Sequence, residues 1–181
     1  EYMYQTLEVE KSARYDELRK AMDKMRMDSD VEHIMTLYTK VLQRLSNRDL
    51  RHFNETSCKS IFITLVYTDG IYLMESEKEA GGGYADLYIK ENVLYKEHIK
   101  YRYMIEFKHI SSKELKCDAK SLSKEELFMQ NKEVMDKYKK AAKEQLERYM
   151  SEHNIISDSE KELKKLIVIT VARKYVEYYF L

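Results

Sequence analysis

The spacing of hydrophobic residues changes along the chain, from helical periodicity in the first third to alternation and unbroken apolar runs later on. After Val31, apolar side chains recur three and four positions apart, which predicts an amphipathic helix. They are Ile34, Leu37, Tyr38, Val41, Leu42 and Leu45. The polar residues at positions 28–30 offer N-cap oxygens for this helix. A second helix is predicted from about Asn47 through Leu65, ending at the turn signal Asp69-Gly70.

Strand patterns follow this turn. Residues 71–75 predict a short strand, and residues 77–83, with three of the four glycines, predict a loop. Residues 84–90 predict a strand whose side chains alternate between two faces. Ala85, Leu87 and Ile89 are expected on one face, and Tyr84, Asp86 and Tyr88 on the other. Residues 98–110, rich in Tyr and Ile, predict the next strand.

The second half predicts a long helix between two further strands. The helix is expected from Ser121, with Ser123 and Glu126 forming a capping box. Residues 166–171 are continuously apolar, as in a strand buried on both faces, and residues 172–174 turn the chain into a last strand at 175–181. A helix between two strands favours a parallel crossover. We therefore expect a mixed α/β sheet flanked by helices over residues 47–181, preceded by a helical extension at residues 1–46.

Composition narrows the class of protein. The 181 residues are 44% hydrophobic and 35% charged, as in a globular domain, and the longest apolar run, residues 61–67, is too short to cross a membrane. Cys58 and Cys117 lack disulfide or zinc spacing, which predicts a reducing, cytoplasmic location. The formal net charge of zero argues against a protein that coats nucleic acid through a broad basic face. It does not exclude an enzyme that binds its substrate locally.

The candidate chemistry lies on the two middle strands. Glu106 and Lys108 are two residues apart and therefore share a face of their strand, while Ile105 and Phe107 point to the other face. If the preceding strand pairs antiparallel, Asp86 lies beside Glu106. Two adjacent carboxylates repel each other unless a cation neutralises them, and hard oxygen ligands suit Mg²⁺ or Mn²⁺. A neighbouring lysine can orient or help deprotonate a water and offset charge on phosphorus, so the group suits phosphodiester hydrolysis.

At these residues the chain resembles the PD-(D/E)XK nuclease superfamily, which has a restriction-endonuclease-like αβββαβ core. It is similar in particular to the nuclease-like C-terminal domain that follows an AAA-type ATPase domain in many bacterial proteins. The matching segments are the glycine loop at 81–83, residues 85–89, Ile105-Glu106-Phe107-Lys108, and Ala141-Ala142 with Gln145 and Tyr149. Ala85 replaces the family's usual Pro before Asp, a departure that is sterically harmless.

The resemblance implies a role for each site residue. Asp86 and Glu106 would bind Mg²⁺ or Mn²⁺ with the backbone carbonyl of Phe107, and Glu55 is the candidate for an additional ligand from an upstream helix. Lys108 would act on the attacking water, and Gln145 would hold Lys108 or that water. The implied substrate is DNA or RNA. Because no GxxxxGK[ST] motif occurs, an ATPase domain would lie outside this chain.

Simpler interpretations stay open for several residues. Gln145 suits a solvated helix face, Glu55 suits a helix start for its charge alone, and His109 suits a hydrogen-bonded position that is buried or at the edge of the core. The lysines at 137, 139, 140 and 143 alternate with acids and indicate a solvated helix face. Three functions remain: a nuclease, a catalytically silent nuclease fold that recognises nucleic acid or protein, and a regulatory partner of an ATPase that docks through its N-terminal helices.

Overall fold

The computed structural model describes residues 2–45, 53–67, 70–80, 83–117, 119, 121–150 and 159–181. These residues form five helices, a 3-10 helix and five strands. In chain order they are α1 (Tyr2–Asp28), α2 (Glu32–Arg44), α3 (Glu55–Val66), β1 (Tyr72–Ala80), β2 (Gly83–Glu91), the 3-10 helix (Val93–His98), β3 (Tyr101–Ile110), α4 (Lys124–Gln130), α5 (Lys132–Met150), β4 (Glu162–Val171) and β5 (Tyr175–Phe180). None of the helices described is long and apolar enough to span a membrane.

The strands form one sheet in the order β1-β2-β3-β4-β5. β3 and β4 are parallel, whereas the other neighbouring pairs are antiparallel. The chain crosses from β3 to β4 through α4 and α5, so the predicted parallel crossover is confirmed. The predicted mixed sheet flanked by helices is confirmed as well.

Helices cover both faces of the sheet and create two hydrophobic clusters. The first cluster joins α1, α2 and α3 to one face, where Phe62 of α3 lies 5.4 Å from Phe107 of β3, centroid to centroid. The second joins α4 and α5 to the other face, which includes Met104 and Ile110. Ile105 and Phe107 belong to the first cluster, so β3 alternates between the two as its sequence predicts. Burial on both faces explains the unbroken apolar run in β4.

The N-terminal helices pack directly on the sheet. Met22 and Met25 are fully buried in the first cluster, and the Tyr103 hydroxyl donates to the Met25 carbonyl over 2.5 Å. The Lys100 amide also donates to the Arg26 carbonyl over 2.9 Å. The expected division of the chain between residues 46 and 47 falls outside the described residues and stays a prediction.

Several predicted boundaries are wrong. α3 begins at Glu55 rather than near Asn47, because Asn54 is extended and its side chain accepts from the Ser57 amide over 3.0 Å, capping the helix. β1 runs through the predicted loop as far as Ala80, since its residues pair with β2 across the hairpin. β3 begins at Tyr101, and the residues just before it form the 3-10 helix. Asp69, Gly81 and Gly82 lie outside the described residues.

The predicted long helix is two helices. The Ser123–Glu126 capping box is confirmed at the start of α4. The break falls at Asn131, whose buried side chain accepts from the Lys116 amide over 2.7 Å and donates to the Leu127 carbonyl over 2.8 Å. Contact with a distant loop residue explains the break, and such a contact leaves no mark in a helical pattern.

Candidate metal centre

The site forms where β2 separates from β3. Their pairing runs from Ile89 opposite Tyr103 to Leu87 opposite Ile105 and then ends. One residue further on, Asp86 uses its side chain instead: Oδ2 accepts from the backbone amide of Phe107 over 2.8 Å. This carboxylate satisfies an amide of β3 where β2 no longer pairs with that strand. Ala85, just before it, belongs to the second cluster together with Tyr88, so the predicted placement of Ala85 beside Leu87 and Ile89 is wrong.

Glu106 and Lys108 project together from β3, as their spacing predicts. Lys108 Nζ donates to Glu106 Oε1 over 2.9 Å and to Glu55 Oε1 over 3.2 Å. Glu55, Asp86 and Glu106 each place one carboxylate oxygen within 4.8 Å of the others. The structure thus brings together three of the residues expected to bind a metal, with the predicted lysine among them.

Glu55 reaches the site from the face of the sheet opposite to the one from which Glu106 and Lys108 project. It is the first residue of α3, which packs on β3 through the first cluster. A carboxylate in the first turn of a helix interacts favourably with the helix dipole, so the simpler interpretation of Glu55 also holds. Glu55 can interact with the helix dipole and also belong to the group of three carboxylates, because the start of α3 lies where β2 and β3 separate.

Burial and crowding shift the protonation of this cluster. Burial, the largest cause, and the charge of Asp86 raise the pKa of Glu106, Lys108 lowers it, and the net result is a pKa of about 7. Burial likewise raises the pKa of Glu55, against the attraction of Lys108. Burial would lower the pKa of Lys108, but Glu106 and Glu55 outweigh it, so the pKa is raised and the amine stays protonated. When all three carboxyl groups are ionised, the cluster holds more negative charge than Lys108 neutralises.

One carboxylate oxygen at the centre has no partner. Glu106 is 1% exposed, and its Oε2 is buried without a hydrogen bond among the residues that the structure describes. A buried acceptor left unpaired destabilises a fold by about 1–3 kcal/mol, more when it is charged. A divalent cation bound between the three carboxylates would satisfy this oxygen and offset the excess charge. The donor set, all hard oxygens, fits Mg²⁺ or Mn²⁺.

The helix α5 borders the cluster through Gln145 and Tyr149. A side-chain hydrogen bond joins these two residues, one helical turn apart. Burial raises the pKa of Tyr149, and the next largest cause is the charge of Glu106, so Tyr149 lies near the carboxylates. Gln145 is thereby placed at the border of the site. Its expected contact with Lys108 or a water, and the Phe107 carbonyl as a ligand, stay predictions.

Lys59 is a residue that the sequence reasoning missed. It lies on α3, one turn after Glu55, and is only 5% exposed. Its Nζ lies 3.1 Å from Glu77 Oε1 and 3.9 Å from Asp86 Oδ1. In the sequence, the position of Lys59 near the site is indicated only by its four-residue spacing from Glu55, because residues four apart on a helix share a face.

His109 faces away from this cluster. Its Nδ1 lies 2.8 Å from Thr170 Oγ1, and its ring packs edge-on against Phe53 with centroids 5.1 Å apart. Burial lowers the pKa of His109. His109 is half-buried, so the prediction of a hydrogen-bonded histidine at the edge of the core is confirmed.

Comparison with known families agrees with this geometry. A family model of the PD-(D/E)XK nuclease superfamily matches residues 53–178, well over half of the chain. The chain belongs to the PD-(D/E)XK nuclease superfamily. This confirms the resemblance and the restriction-endonuclease-like fold, and the matched region contains Glu55, Asp86, Glu106 and Lys108. No curated protein is significantly similar to the sequence. Association with an ATPase domain stays a prediction.

Proposed function

We propose that this chain is a Mg²⁺- or Mn²⁺-dependent nuclease that hydrolyses phosphodiester bonds in DNA, with RNA as the other candidate substrate. The observation that carries the proposal is the Oε2 of buried Glu106, which has no hydrogen-bond partner among the described residues and lies among two further carboxylates and a protonated lysine. Superfamily membership supports the same reaction class. What sets Glu106 apart is that its unpaired oxygen lies beside two further carboxylates, an arrangement that destabilises the metal-free protein and that a fold without chemistry does not need.

Each residue has a proposed role. Asp86, Glu106 and Glu55 provide the carboxylate oxygens that bind the metal, and the Phe107 carbonyl is the proposed additional ligand. When bound, the ion provides positive charge for a phosphate oxygen and makes a coordinated water more acidic. Asp86 is already oriented, because its Oδ2 accepts a hydrogen bond from the Phe107 amide.

Lys108 acts as a hydrogen-bond donor and a fixed positive charge. Its ammonium group is held by Glu106 and Glu55, and its raised pKa keeps it protonated at neutral pH. In this state it orients the attacking water and stabilises the negative charge that develops on the phosphate in the transition state. Gln145, on α5, is proposed to hold Lys108 or the water from the side opposite Glu55.

The decisive experiment is metal-dependent cleavage of supercoiled plasmid, single-stranded DNA and RNA. Wild type is compared with Lys108→Ala and with Lys116→Ala, an exposed lysine paired with Glu133 on the surface. We expect cleavage that requires Mg²⁺ or Mn²⁺, lost about 100-fold or more in Lys108→Ala and unchanged in Lys116→Ala. Equal cleavage by Lys108→Ala and wild type would contradict the assignment.

Asp86→Asn separates chemistry from folding. The asparagine retains an oxygen that can accept from the Phe107 amide but lacks the charge, so we expect a folded protein with weakened Mn²⁺ binding and no turnover. If wild type binds metal and nucleic acid yet cleaves none of the three substrates, the fold is a silent recognition module rather than an enzyme.

A further inference from the structure

Lys59 is buried on the flank of the carboxylate cluster, where its ammonium group faces Asp86 and Glu77. A buried ammonium is strongly unfavourable unless carboxylates pair with it. Glu77 is 67% exposed, so solvent screens much of its interaction with Lys59, whereas the Asp86 side chain is 19% exposed. The interaction of Lys59 with Asp86 is therefore the less screened of the two, although its distance is longer.

The two oxygens of Asp86 have different neighbours. Oδ2 accepts from the Phe107 amide at 2.8 Å, and Oδ1 faces Lys59 Nζ at 3.9 Å. Asp86 also shares the three-carboxylate cluster with Glu55 and Glu106. A second metal ion bound to Asp86 from the Lys59 side would need the space that this ammonium group fills.

The charges of the cluster favour a single divalent ion. The three carboxylates and the two ammonium groups of Lys59 and Lys108 leave one negative charge, and Glu77 adds a second near the surface. One divalent cation brings this total to zero. A second divalent cation would leave two positive charges in a largely buried site, where repulsion is weakly screened.

We propose that Lys59 takes the place of a second metal ion, so that the site binds one divalent cation per chain. This inference rests on the proposed function of the cluster as a metal site. Lys59 is a positioning residue: it balances the charge of Asp86 from α3 and does not touch the reacting atoms.

The test is the number of Mn²⁺ ions bound per folded chain, measured by equilibrium dialysis with metal analysis and by isothermal titration. Three proteins are compared: wild type, Lys59→Met, and the control Lys90→Met. Methionine keeps the length of the buried stem while removing the charge. Lys90 is a partly buried lysine of β2 whose Nζ pairs at 2.7 Å with Glu75, a residue outside the group of three carboxylates.

We expect one bound Mn²⁺ in wild type and in Lys90→Met, and a shift from one ion to two in Lys59→Met, with the second ion held by Asp86 and Glu77. Two ions in wild type would overturn the proposal, and so would a single ion in Lys59→Met. Either result would leave the proposed metal site intact. No bound Mn²⁺ in wild type would instead overturn the proposed function. If Lys59→Met does not fold, the wild-type stoichiometry still decides, because two ions beside Lys59 contradict the proposal.

Discussion

Two buried charges on β3, Arg102 and Glu106, lie on the same side of the strand and have opposite surroundings. Arg102 is 2% exposed, and its guanidinium donates to the Tyr88 hydroxyl over 2.7 Å and to the Lys161 carbonyl over 2.9 Å. Glu106 is equally buried, but one of its oxygens has no partner in the described part of the chain. The groups around Arg102 are hydrogen-bond acceptors, whereas those around Glu106 include two further carboxylates, Asp86 and Glu55.

The difference distinguishes a structural charge from a functional one. A buried charge whose hydrogen bonds are complete contributes to one specific packing arrangement, as Arg102 does between β2, β3 and the start of β4. A buried charge left incomplete destabilises the fold, and an excess of like charge beside it indicates a missing cation. The proposed function depends on this distinction between Arg102 and Glu106.

The largest expected effect is on catalysis. Glu106→Gln removes a ligand charge while keeping the side-chain shape, and we expect metal-dependent cleavage to fall about 100- to 1,000-fold, comparable to the loss of a transition-state contact. The same change should stabilise the metal-free protein, since it removes a buried charge. Cleavage rates and urea unfolding of the same preparation check both. Wild-type cleavage by Glu106→Gln would show that the unpaired oxygen has no catalytic role.

Arg102→Met should have the reverse effect. We expect the free energy of unfolding to fall by about 4 kcal/mol, because the Tyr88 hydroxyl and the Lys161 carbonyl both lose a donor. Cleavage per folded molecule should stay as in wild type. Urea denaturation gives the first quantity and active-site titration the second. A stability loss below about 1 kcal/mol, or a selective loss of activity, would remove the contrast with Glu106.

The pH dependence of stability should also reveal the buried charge of Glu106. The pKa of Glu106 is raised from its ordinary value of 4.5 to about 7 in the folded chain. The folded form therefore binds this proton more tightly, so the contribution of Glu106 is favourable below pH 4.5 and is lost as pH rises to about 7. Metal-free wild type should lose up to roughly 3 kcal/mol relative to Glu106→Gln across this range. Stability is measured by urea unfolding at each pH. Parallel stability curves for wild type and Glu106→Gln would contradict the raised pKa of Glu106.

The smallest expected effect concerns the helix start that positions Glu55. Asn54→Ala removes the cap of α3 and should lower the free energy of unfolding by about 1 kcal/mol. Fraying of the first turn should also weaken Mn²⁺ binding, because Glu55 is the first residue of the helix. Asn54→Asp, which keeps a capping oxygen, is the control. If Asn54→Ala and Asn54→Asp bind Mn²⁺ equally, the position of Glu55 does not depend on the cap.

Local pattern was enough to predict the strand part of the site. A two-residue period places Glu106 and Lys108 on one face, and an antiparallel neighbour brings Asp86 close. The parallel pairing of β3 with β4 followed from the intervening helical segment. These features depend on backbone geometry that a few neighbouring residues determine.

The remaining features depend on contacts between distant residues. Lys59 comes from a helix on the opposite face, and only the separation of β2 from β3 brings it to Asp86. The residues of β1 beyond Glu75, which include Glu77, do not alternate like a strand, so their pairing with β2 could not be predicted. The break at Asn131 likewise depends on its hydrogen bond from Lys116, fifteen residues away.

The most direct test of the account is the change in unfolding temperature on adding Mn²⁺ to wild type, Glu106→Gln and Glu91→Gln. Glu91 is the matched control, because its Oε2 is also buried and unpaired in the described structure, yet it lies outside the three-carboxylate cluster. At about one hundred times the dissociation constant, a bound ion stabilises the folded state by about 2.7 kcal/mol, a rise of about 5–10 °C. We predict this rise for wild type and Glu91→Gln and its loss in Glu106→Gln. An equal rise in all three proteins would place the metal elsewhere and contradict the account.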